Sequence, residues 1–270
     1  MTPGPEPSGA EPSGAGRLAG ERALVTGSTA GIGRGIATAM AAQGAAVVVT
    51  GRDEARGRAV VGEITKAGGT AQFVAAELAD ESAVRALVDR AAAVMGGLTV
   101  LVNNAAGAIR GDAAVADLET DTWEAILRVD LTAPMWCARA AIPHMRRAGH
   151  GSIVNISSRQ AERASRGLAA YVAAKAGLNG LTRSIAVDEA AHGIRCNTVS
   201  PGYVINERRD AAQTPERRAQ LEGMHLTRLG TADDVASACV YLASGESGFV
   251  TGVNLQLDGG SSIARGAELG

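Results

Sequence analysis

Short apolar runs alternate with longer Ala-rich segments along most of this chain. The runs are rich in Val, Ile and Leu, and they predict β-strands at Ala23–Thr26, Ala46–Thr50, Ala71–Ala75, Val100–Val102, Ser152–Ile156, Ile194–Val199 and Asn254–Leu257. Apolar residues at helical spacing predict helices near 32–43, 54–67, 81–95, 122–147, 170–191 and 232–243. Strands that are apolar throughout are covered on both faces. The pattern predicts a single α/β domain over residues 20–270, built on a doubly wound, Rossmann-type parallel sheet of about seven strands.

Two segments depart from this alternation. Residues 1–19 are rich in Pro, Gly and Ser and offer little apolar surface, so they are expected to form a disordered tail. Residues 204–227 are polar and charge-rich, and they predict a lid over the carboxyl edge of the sheet. In this lid, Arg208 and Arg209 could meet an anionic substrate or form a solvated face.

Composition favours a small-molecule partner. A net charge of −2, from 26 basic and 28 acidic residues, leaves no basic surface for nucleic acid or an anionic membrane. Cys137, Cys196 and Cys239 lack metal-ligand spacing and are expected to be buried thiols, and no metal site is predicted. Neither a membrane span nor a signal peptide is apparent, which predicts a cytoplasmic protein.

A glycine-rich turn, TGSTAGIG, follows the first predicted strand and leads into a helix. Glycines allow a pyrophosphate to approach the backbone, and the helix N-terminus supplies N–H donors. The spacing differs from the commoner GxGxxG, and a purely structural turn is the alternative. The residues expected to bind a dinucleotide here are Gly27, Ser28, Thr29, Gly31, Ile32 and Gly33.

The end of the second predicted strand bears on the choice of cofactor. Gly51 stands where an NAD enzyme usually carries an acid for the ribose 2′-hydroxyl. Arg52 follows, and a guanidinium can pair with a 2′-phosphate, so NADP is favoured over NAD. The alternative is that Arg52 is solvated and Asp53 caps the next helix.

Tyr171 and Lys175 lie four residues apart on a predicted helix and therefore share one face. A nearby ammonium favours the phenolate, so this tyrosine can transfer protons near neutrality. Ser158 ends a predicted strand at the carboxyl edge of the sheet. The combination predicts that Ser158 orients a carbonyl or alcohol, Tyr171 transfers the proton, and a nicotinamide gives or takes the hydride.

Together with Asn103-Asn104-Ala105, IRCNTVSPG and RLGTADDVA…TGVNLQLDGG, these motifs resemble the classical short-chain dehydrogenases/reductases over residues 20–262. The resemblance implies an NAD(P)-dependent oxidoreductase acting on a carbonyl or secondary alcohol, such as a ketoreductase, and a homotetramer or homodimer. It implies that Asn104, Ala105 and Ala106 line the adenosine ribose side of the cofactor, and that Pro201, Gly202 and Val204 frame the nicotinamide, with Tyr171 and Lys175 beside it. The alternative is a nucleotide-binding regulator or scaffold without turnover. A dehydratase or epimerase is less well supported, since no further acid–base pair is apparent.

Four positions differ from the family pattern. Ala106 stands where a glycine is usual. Glu77 is one methylene longer than the acid that usually contacts adenine, and it is expected to accept from the exocyclic amine, with Leu78 beside it also expected to bind the cofactor. Asn206 replaces a threonine, and its amide is expected to bond the nicotinamide carboxamide. Asp130 stands where the catalytic tetrad has asparagine. An ionised Asp130 near Lys175 would weaken the stabilisation of the phenolate, which predicts an alkaline-shifted activity profile or low turnover.

Overall fold

Seven parallel strands form one sheet in the order β3-β2-β1-β4-β5-β6-β7. The computed structural model describes residues 16–107, 109–206 and 210–264. The strands are β1 (Arg22–Val25), β2 (Ala46–Gly51), β3 (Thr70–Ala75), β4 (Val100–Asn103), β5 (Gly151–Ile156), β6 (Ile194–Pro201) and β7 (Asn254–Leu257). From β1 the chain builds β2 and β3 on one side and then crosses to β4 on the other, which opens a crevice at the carboxyl edge. The predicted Rossmann-type fold is confirmed.

Helices connect the strands on both faces of the sheet. They are α1 (Gly31–Ala42), α2 (Glu54–Lys66), α3 (Glu81–Met95), α4 (Thr120–Leu127), α5 (Ala133–Ala148), α6 (Ala169–Glu189), α7 (Pro215–Glu222) and α8 (Ala232–Ala243). Short 3₁₀ turns occur at Val115–Asp117, Arg159–Ala161, Ala190–His192 and Gly245–Ser247. The helix predicted over 122–147 is α4 and α5 joined by a π-helical turn, Arg128–Thr132.

The hydrophobic core lies on both faces of the sheet, which explains the continuous apolar strands. Val25 faces the layer formed by α1, α2 and α8, whereas its neighbour Leu24 faces the layer formed by α3, α5 and α6. Both residues are fully buried. Successive side chains of a strand point to opposite faces, so a sheet covered on both faces buries both sets of side chains and favours apolar residues at consecutive positions. Buried polar residues of the strands, such as Ser152 and Asn155, form hydrogen bonds instead.

Residues 16–19 pack against the domain, although the sequence predicts that they belong to a disordered tail. Leu18 is fully buried, and its N–H donates to the Gln43 carbonyl at 2.9 Å. Next to it, Arg17 pairs with Glu246 at 2.6 Å. The prediction of a disordered tail over residues 1–19 is therefore wrong for residues 16–19, because one leucine anchors this end to the core. Residues 1–15 lie outside the described residues.

The three cysteines have the predicted character. Cys137, Cys196 and Cys239 are free and buried, and burial raises the pKa of the Cys137 and Cys196 thiols to about 12. These thiols therefore stay protonated at neutral pH, and a protonated thiol is a poor nucleophile. Among the described residues, none of the helices is long and apolar enough to cross a membrane.

Candidate active site

Two adjoining clefts occupy the carboxyl edge of the sheet. We call the first the tyrosine cleft, and it is lined by Ile32, Asn104, Ala106, Ile156, Ser157, Ser158, Tyr171, Lys175, Pro201, Gly202, Tyr203, Val204, Ile205 and Asn206. The second, the arginine cleft, is lined by Gly27, Thr29, Thr50, Gly51, Arg52, Ala76, Glu77, Leu78, Ala79, Asn104, Ala105, Ala106, Gly107 and Val129. Asn104 and Ala106 line both, so the two clefts meet at the end of β4.

The glycine-rich turn has the shape of a cradle. Gly27 and Gly31 have φ angles of 63° and 54°, a region that favours glycine. A Cβ on Gly33 would lie 2.4 Å from both the Gly27 carbonyl oxygen and Asn104 Nδ2. Helix α1 starts here, and its N-cap residue, Ala30, provides no side-chain hydrogen bond to the first turn. The backbone N–H groups of the first turn of α1 are therefore available to an anion, and the turn fits the pyrophosphate of a dinucleotide.

Asn104 holds this cradle to β4. Its Nδ2 donates to the Thr26 carbonyl at 2.9 Å and to the Gly27 carbonyl at 3.2 Å. The hydroxyl oxygen of Thr26 in turn accepts from the backbone N–H groups of Asn104 and Ala105, at 3.0 and 3.1 Å. The sequence predicts contact between Asn104 and a cofactor, and the structure gives its amide a second task, the positioning of the turn.

Ser28 is buried beneath the cradle. Its Oγ donates to the Val25 carbonyl at 2.6 Å and accepts from Thr50 N–H at 2.9 Å. These bonds join β1 to β2, and the residue is absent from the described lining of both clefts. The prediction that Ser28 contacts the cofactor is therefore not supported for its side chain, because a position in the turn does not determine where the side chain points.

Arg52 and Glu77 face each other across the mouth of the arginine cleft. The distance from Arg52 Nη1 to Glu77 Oε2 is 3.6 Å, and the arginine side chain is 82% exposed. Glu77 Oε1 accepts from Leu78 N–H at 2.9 Å. Asp53 caps α2 by accepting from Arg56 N–H at 3.0 Å. Both features of the alternative interpretation, a largely solvated arginine and a capping aspartate, are thus present, while Arg52 also lines the cleft.

Tyr171, Lys175 and Ser158 come together in the tyrosine cleft. Lys175 Nζ lies 5.6 Å from the centroid of the Tyr171 ring and donates to the Ile156 carbonyl at 3.1 Å. Ser158 lies two residues after the end of β5, and its Oγ accepts from Gln160 N–H at 3.1 Å. The lysine and serine are buried, and the tyrosine is half-buried. The cleft therefore combines a serine hydroxyl, a tyrosine phenol and a buried lysine ammonium.

Asp130 lies directly behind the lysine. It is fully buried in the π-helical turn, with Oδ1 3.1 Å from Lys175 Nζ. Its Oδ2 accepts from Gly107 N–H at 2.8 Å. Among the described residues, Oδ1 accepts no hydrogen bond, so the lysine contact is an ion pair without hydrogen-bond geometry. The departure from the family pattern thus lies where the sequence predicts, next to Lys175, and a Cβ on Gly107 would lie only 3.0 Å from Oδ2.

The segment predicted to form a lid begins in the lining of the tyrosine cleft, at Val204, Ile205 and Asn206. Val204 forms a β-bridge with Gly230, and Asn206 N–H donates to Asp210 Oδ2 at 2.8 Å. Helix α7 begins at Pro215, capped by Thr214, whose side chain accepts from Arg217 N–H at 3.2 Å. The predicted lid thus contains an ordered helix. The candidate substrate residues Arg208 and Arg209 lie outside the described residues.

Comparison with known proteins decides the family. A family model described as enoyl-(acyl carrier protein) reductase matches residues 27–262. The 7alpha-hydroxysteroid dehydrogenase of Clostridium sardiniense is 37% identical over 249 residues, covering 92% of this chain and 95% of the relative. The chain belongs to the short-chain dehydrogenase/reductase family. Its members are NAD(P)-dependent oxidoreductases, and so is this protein.

Two further matches support the family. The cis-4-hydroxycyclohexanecarboxylate dehydrogenase of Sinomonas cyclohexanicum is 40% identical over 239 residues, covering 88% of this chain and 95% of the relative. The crystal structure of a gluconate 5-dehydrogenase from Burkholderia cenocepacia, in complex with NADP and tartrate, matches with a TM-score of 0.86 and 35% identity. It covers 92% of this chain and 98% of that one.

One residue of this short-chain dehydrogenase/reductase escapes sequence analysis entirely. Asp112, in the loop after β4, caps α6: Oδ1 accepts from Ala170 N–H at 3.1 Å and Oδ2 from Tyr171 N–H at 3.0 Å. The local N-cap residue, Leu168, provides no such bond. The cap is 59 residues from Tyr171 in the sequence, so a search for capping residues near the helix start does not find it.

Proposed function

We propose that this protein transfers hydride between NADP and a small carbonyl or secondary alcohol, with Tyr171 as general acid and base. The observation that carries the proposal is the convergence of Ser158, Tyr171 and Lys175 on one cleft that adjoins a dinucleotide cradle. When bound, the cofactor supplies or accepts the hydride at its nicotinamide.

The three side chains divide the work. In reduction, Ser158 Oγ donates a hydrogen bond that orients the substrate oxygen, and Tyr171 Oη donates the proton that this oxygen gains. In oxidation, Tyr171 takes the proton from the alcohol. The Lys175 ammonium, 5.6 Å from the tyrosine ring, stabilises the phenolate that forms. Its bond to the Ile156 carbonyl fixes the ammonium in place.

The preference for NADP rests on the arginine cleft. A Cβ on Gly51 would lie 2.8 Å from Thr29 Cγ2, so an acid for a ribose 2′-hydroxyl at this position would require the Thr29 side chain to move. Arg52 lines the same cleft, and its ion pair with Glu77 is long and exposed. Such pairs contribute only about 0–1 kcal/mol, so Arg52 can exchange the carboxylate for a phosphate at little cost.

Asp130 favours a second candidate, a nucleotide-binding regulator with slow or no turnover. Its carboxylate lies 3.1 Å from Lys175 Nζ. The negative charge offsets part of the positive potential by which the ammonium stabilises the Tyr171 phenolate. Tight NADPH binding without oxidation of NADPH by any of a panel of ketones would favour this candidate.

The proposal further includes a homotetramer or homodimer in the cytoplasm, and light scattering after gel filtration would measure the oligomeric state.

The decisive test is Tyr171→Phe. Loss of the phenol is expected to lower kcat about 10²- to 10⁴-fold, the usual contribution of general acid–base catalysis, while NADPH binding is kept. Tyr241→Phe, in α8 and outside both clefts, is the matched control and should leave kcat unchanged. A Tyr171→Phe enzyme with wild-type kcat would overturn the assignment.

A further inference from the structure

His225 is a buried histidine that the proposed mechanism does not use. It follows α7 at the end of the lid and is 8% exposed. Its Nδ1 lies 2.8 Å from the Leu221 carbonyl oxygen, and its Nε2 lies 3.2 Å from Tyr203 N. Because a carbonyl only accepts and a backbone N–H only donates, Nδ1 carries the proton and Nε2 accepts. The two partners thus require a neutral ring in one tautomer.

The ring fits between two loops. A Cβ on Gly202 would lie 2.9 Å from His225 Nε2, and a Cβ on Gly259 would lie 3.4 Å from His225 Cδ2. The next residue, Leu226, donates its N–H to the Gly259 carbonyl at 2.8 Å. The imidazole is therefore enclosed by the turn after β6, the loop after β7 and the end of α7.

The Tyr203 amide connects the ring to the tyrosine cleft. Pro201, Gly202 and Tyr203 all line that cleft. The Tyr203 carbonyl accepts from Gly230 N–H at 2.9 Å, while its N–H donates to His225. Both backbone groups of Tyr203 are thus held, the carbonyl by Gly230, two residues before α8, and the N–H by the imidazole.

We propose that His225 is a positioning residue that fixes the Pro201–Tyr203 turn through Nε2 and anchors the lid helix through Nδ1. Its effect on cofactor affinity rests on the proposed function, since it requires a nicotinamide in the tyrosine cleft. Its effect on the lid helix is independent of the proposed function. The ring performs two separable tasks because each nitrogen serves a different segment of the chain.

Asparagine and glutamine each reproduce one of the two nitrogens. In His225→Asn the amide reaches the Nδ1 position, so the Leu221 carbonyl keeps a donor and Tyr203 N–H loses its acceptor. In His225→Gln the longer amide reaches the Nε2 position, so Tyr203 N–H keeps an acceptor and the Leu221 carbonyl loses its donor. Neither amide changes net charge.

The experiment combines NADPH titration by fluorescence with trypsin cleavage of the cofactor-free enzyme after Arg217 and Arg218, which are exposed in α7. His225→Asn is expected to raise the Kd and KM for NADPH about three- to tenfold, as for loss of one hydrogen bond, with kcat changed less. Its cleavage rate should match wild type. His225→Gln should recover most of the NADPH affinity while its lid is cleaved several times faster.

The control variant is His192→Asn. His192 is exposed at the opposite edge of the sheet, and its substitution should match wild type in both assays.

Equal behaviour of the Asn and Gln variants in both assays would overturn the proposal, because a histidine that only fills space predicts no such separation. If wild type binds neither NADPH nor NADH, the proposed function fails. The cleavage rates of the two variants then still decide whether Nδ1 anchors the lid.

Discussion

Two ion pairs stand at opposite ends of the joined clefts and differ in almost every physical respect. Lys175 and Asp130 are 3.1 Å apart, with side chains 4% and 0% exposed. Arg52 and Glu77 are 3.6 Å apart, with side chains 82% and 52% exposed. Both partners of the first pair form a further backbone hydrogen bond, Lys175 to the Ile156 carbonyl and Asp130 to Gly107 N–H. In the second pair Glu77 accepts from Leu78 N–H, while the side chain of Arg52 is largely exposed to solvent.

The difference separates chemistry from recognition. A buried pair is costly to break, because removing one partner leaves an uncompensated charge away from water. An exposed pair is screened and contributes little, so its members can exchange partners. The end of the site that holds Lys175 is thus built before any ligand binds, while the end at Arg52, which we propose selects NADP, can rearrange.

The largest expected effect comes from breaking the buried pair. Asp130→Ala should lower the free energy of unfolding by about 3–5 kcal/mol, since it leaves the Lys175 ammonium buried without its counter-charge. Asp130→Asn keeps an acceptor for Gly107 N–H and should cost less. Denaturant unfolding measures both, and an Asp130→Ala protein as stable as wild type would remove the basis of the comparison.

The same Asp130→Asn variant tests the chemical consequence. Without the carboxylate, the field of Lys175 acts on Tyr171 alone, so the pH–rate profile should shift toward lower pH or turnover should rise. An unchanged profile and turnover would show that Asp130 does not limit the tyrosine.

The exposed pair should show the opposite behaviour. Arg52→Ala is expected to raise the Kd for NADPH about 10- to 100-fold through loss of charge-assisted hydrogen bonds to the 2′-phosphate. The Kd for NADH and the free energy of unfolding should hardly change. Arg56→Ala, an exposed arginine paired with Asp53, is the matched control. Equal losses of NADPH and NADH affinity in Arg52→Ala would contradict a role in cofactor choice.

The smallest expected effect concerns the cap that orients α6. Asp112→Ala should lower the free energy of unfolding by about 1 kcal/mol, as for loss of an N-cap, and should lower kcat because Tyr171 N–H loses its acceptor. Asp117→Ala, an exposed neighbour in the same loop, is the control. If both variants unfold at the same denaturant concentration as wild type, the cap has no energetic role.

Sequence patterns predicted the sheet because a doubly covered sheet favours apolar residues at consecutive strand positions, as Leu24 and Val25 show. Tyr171 and Lys175 could be found because residues four apart lie on the same face of a helix, so their closeness follows directly from the sequence. The roles of Asp112 and His225 could not be found from the sequence. Asp112 bonds the backbone of Tyr171, and His225 bonds the backbone of Tyr203, and neither partner is near in the sequence. Ser28 shows the same limit, because the sequence does not tell whether its side chain points into the cleft or beneath it.

The π-helical turn at Arg128–Thr132 also bears on how this chain can change over evolution. It places an extra residue between α4 and α5. Because a π turn takes up one residue more than an α-helical turn, deleting one residue there would restore regular α-helix and leave the phase of α4 and α5 unchanged. Ile126 would keep its contacts with Ala170 and Ala174, while the side chains of the turn itself would change direction. Asp130 lies in this turn and contacts Lys175, so the length of the stretch sets the position of that carboxylate independently of the helices on either side.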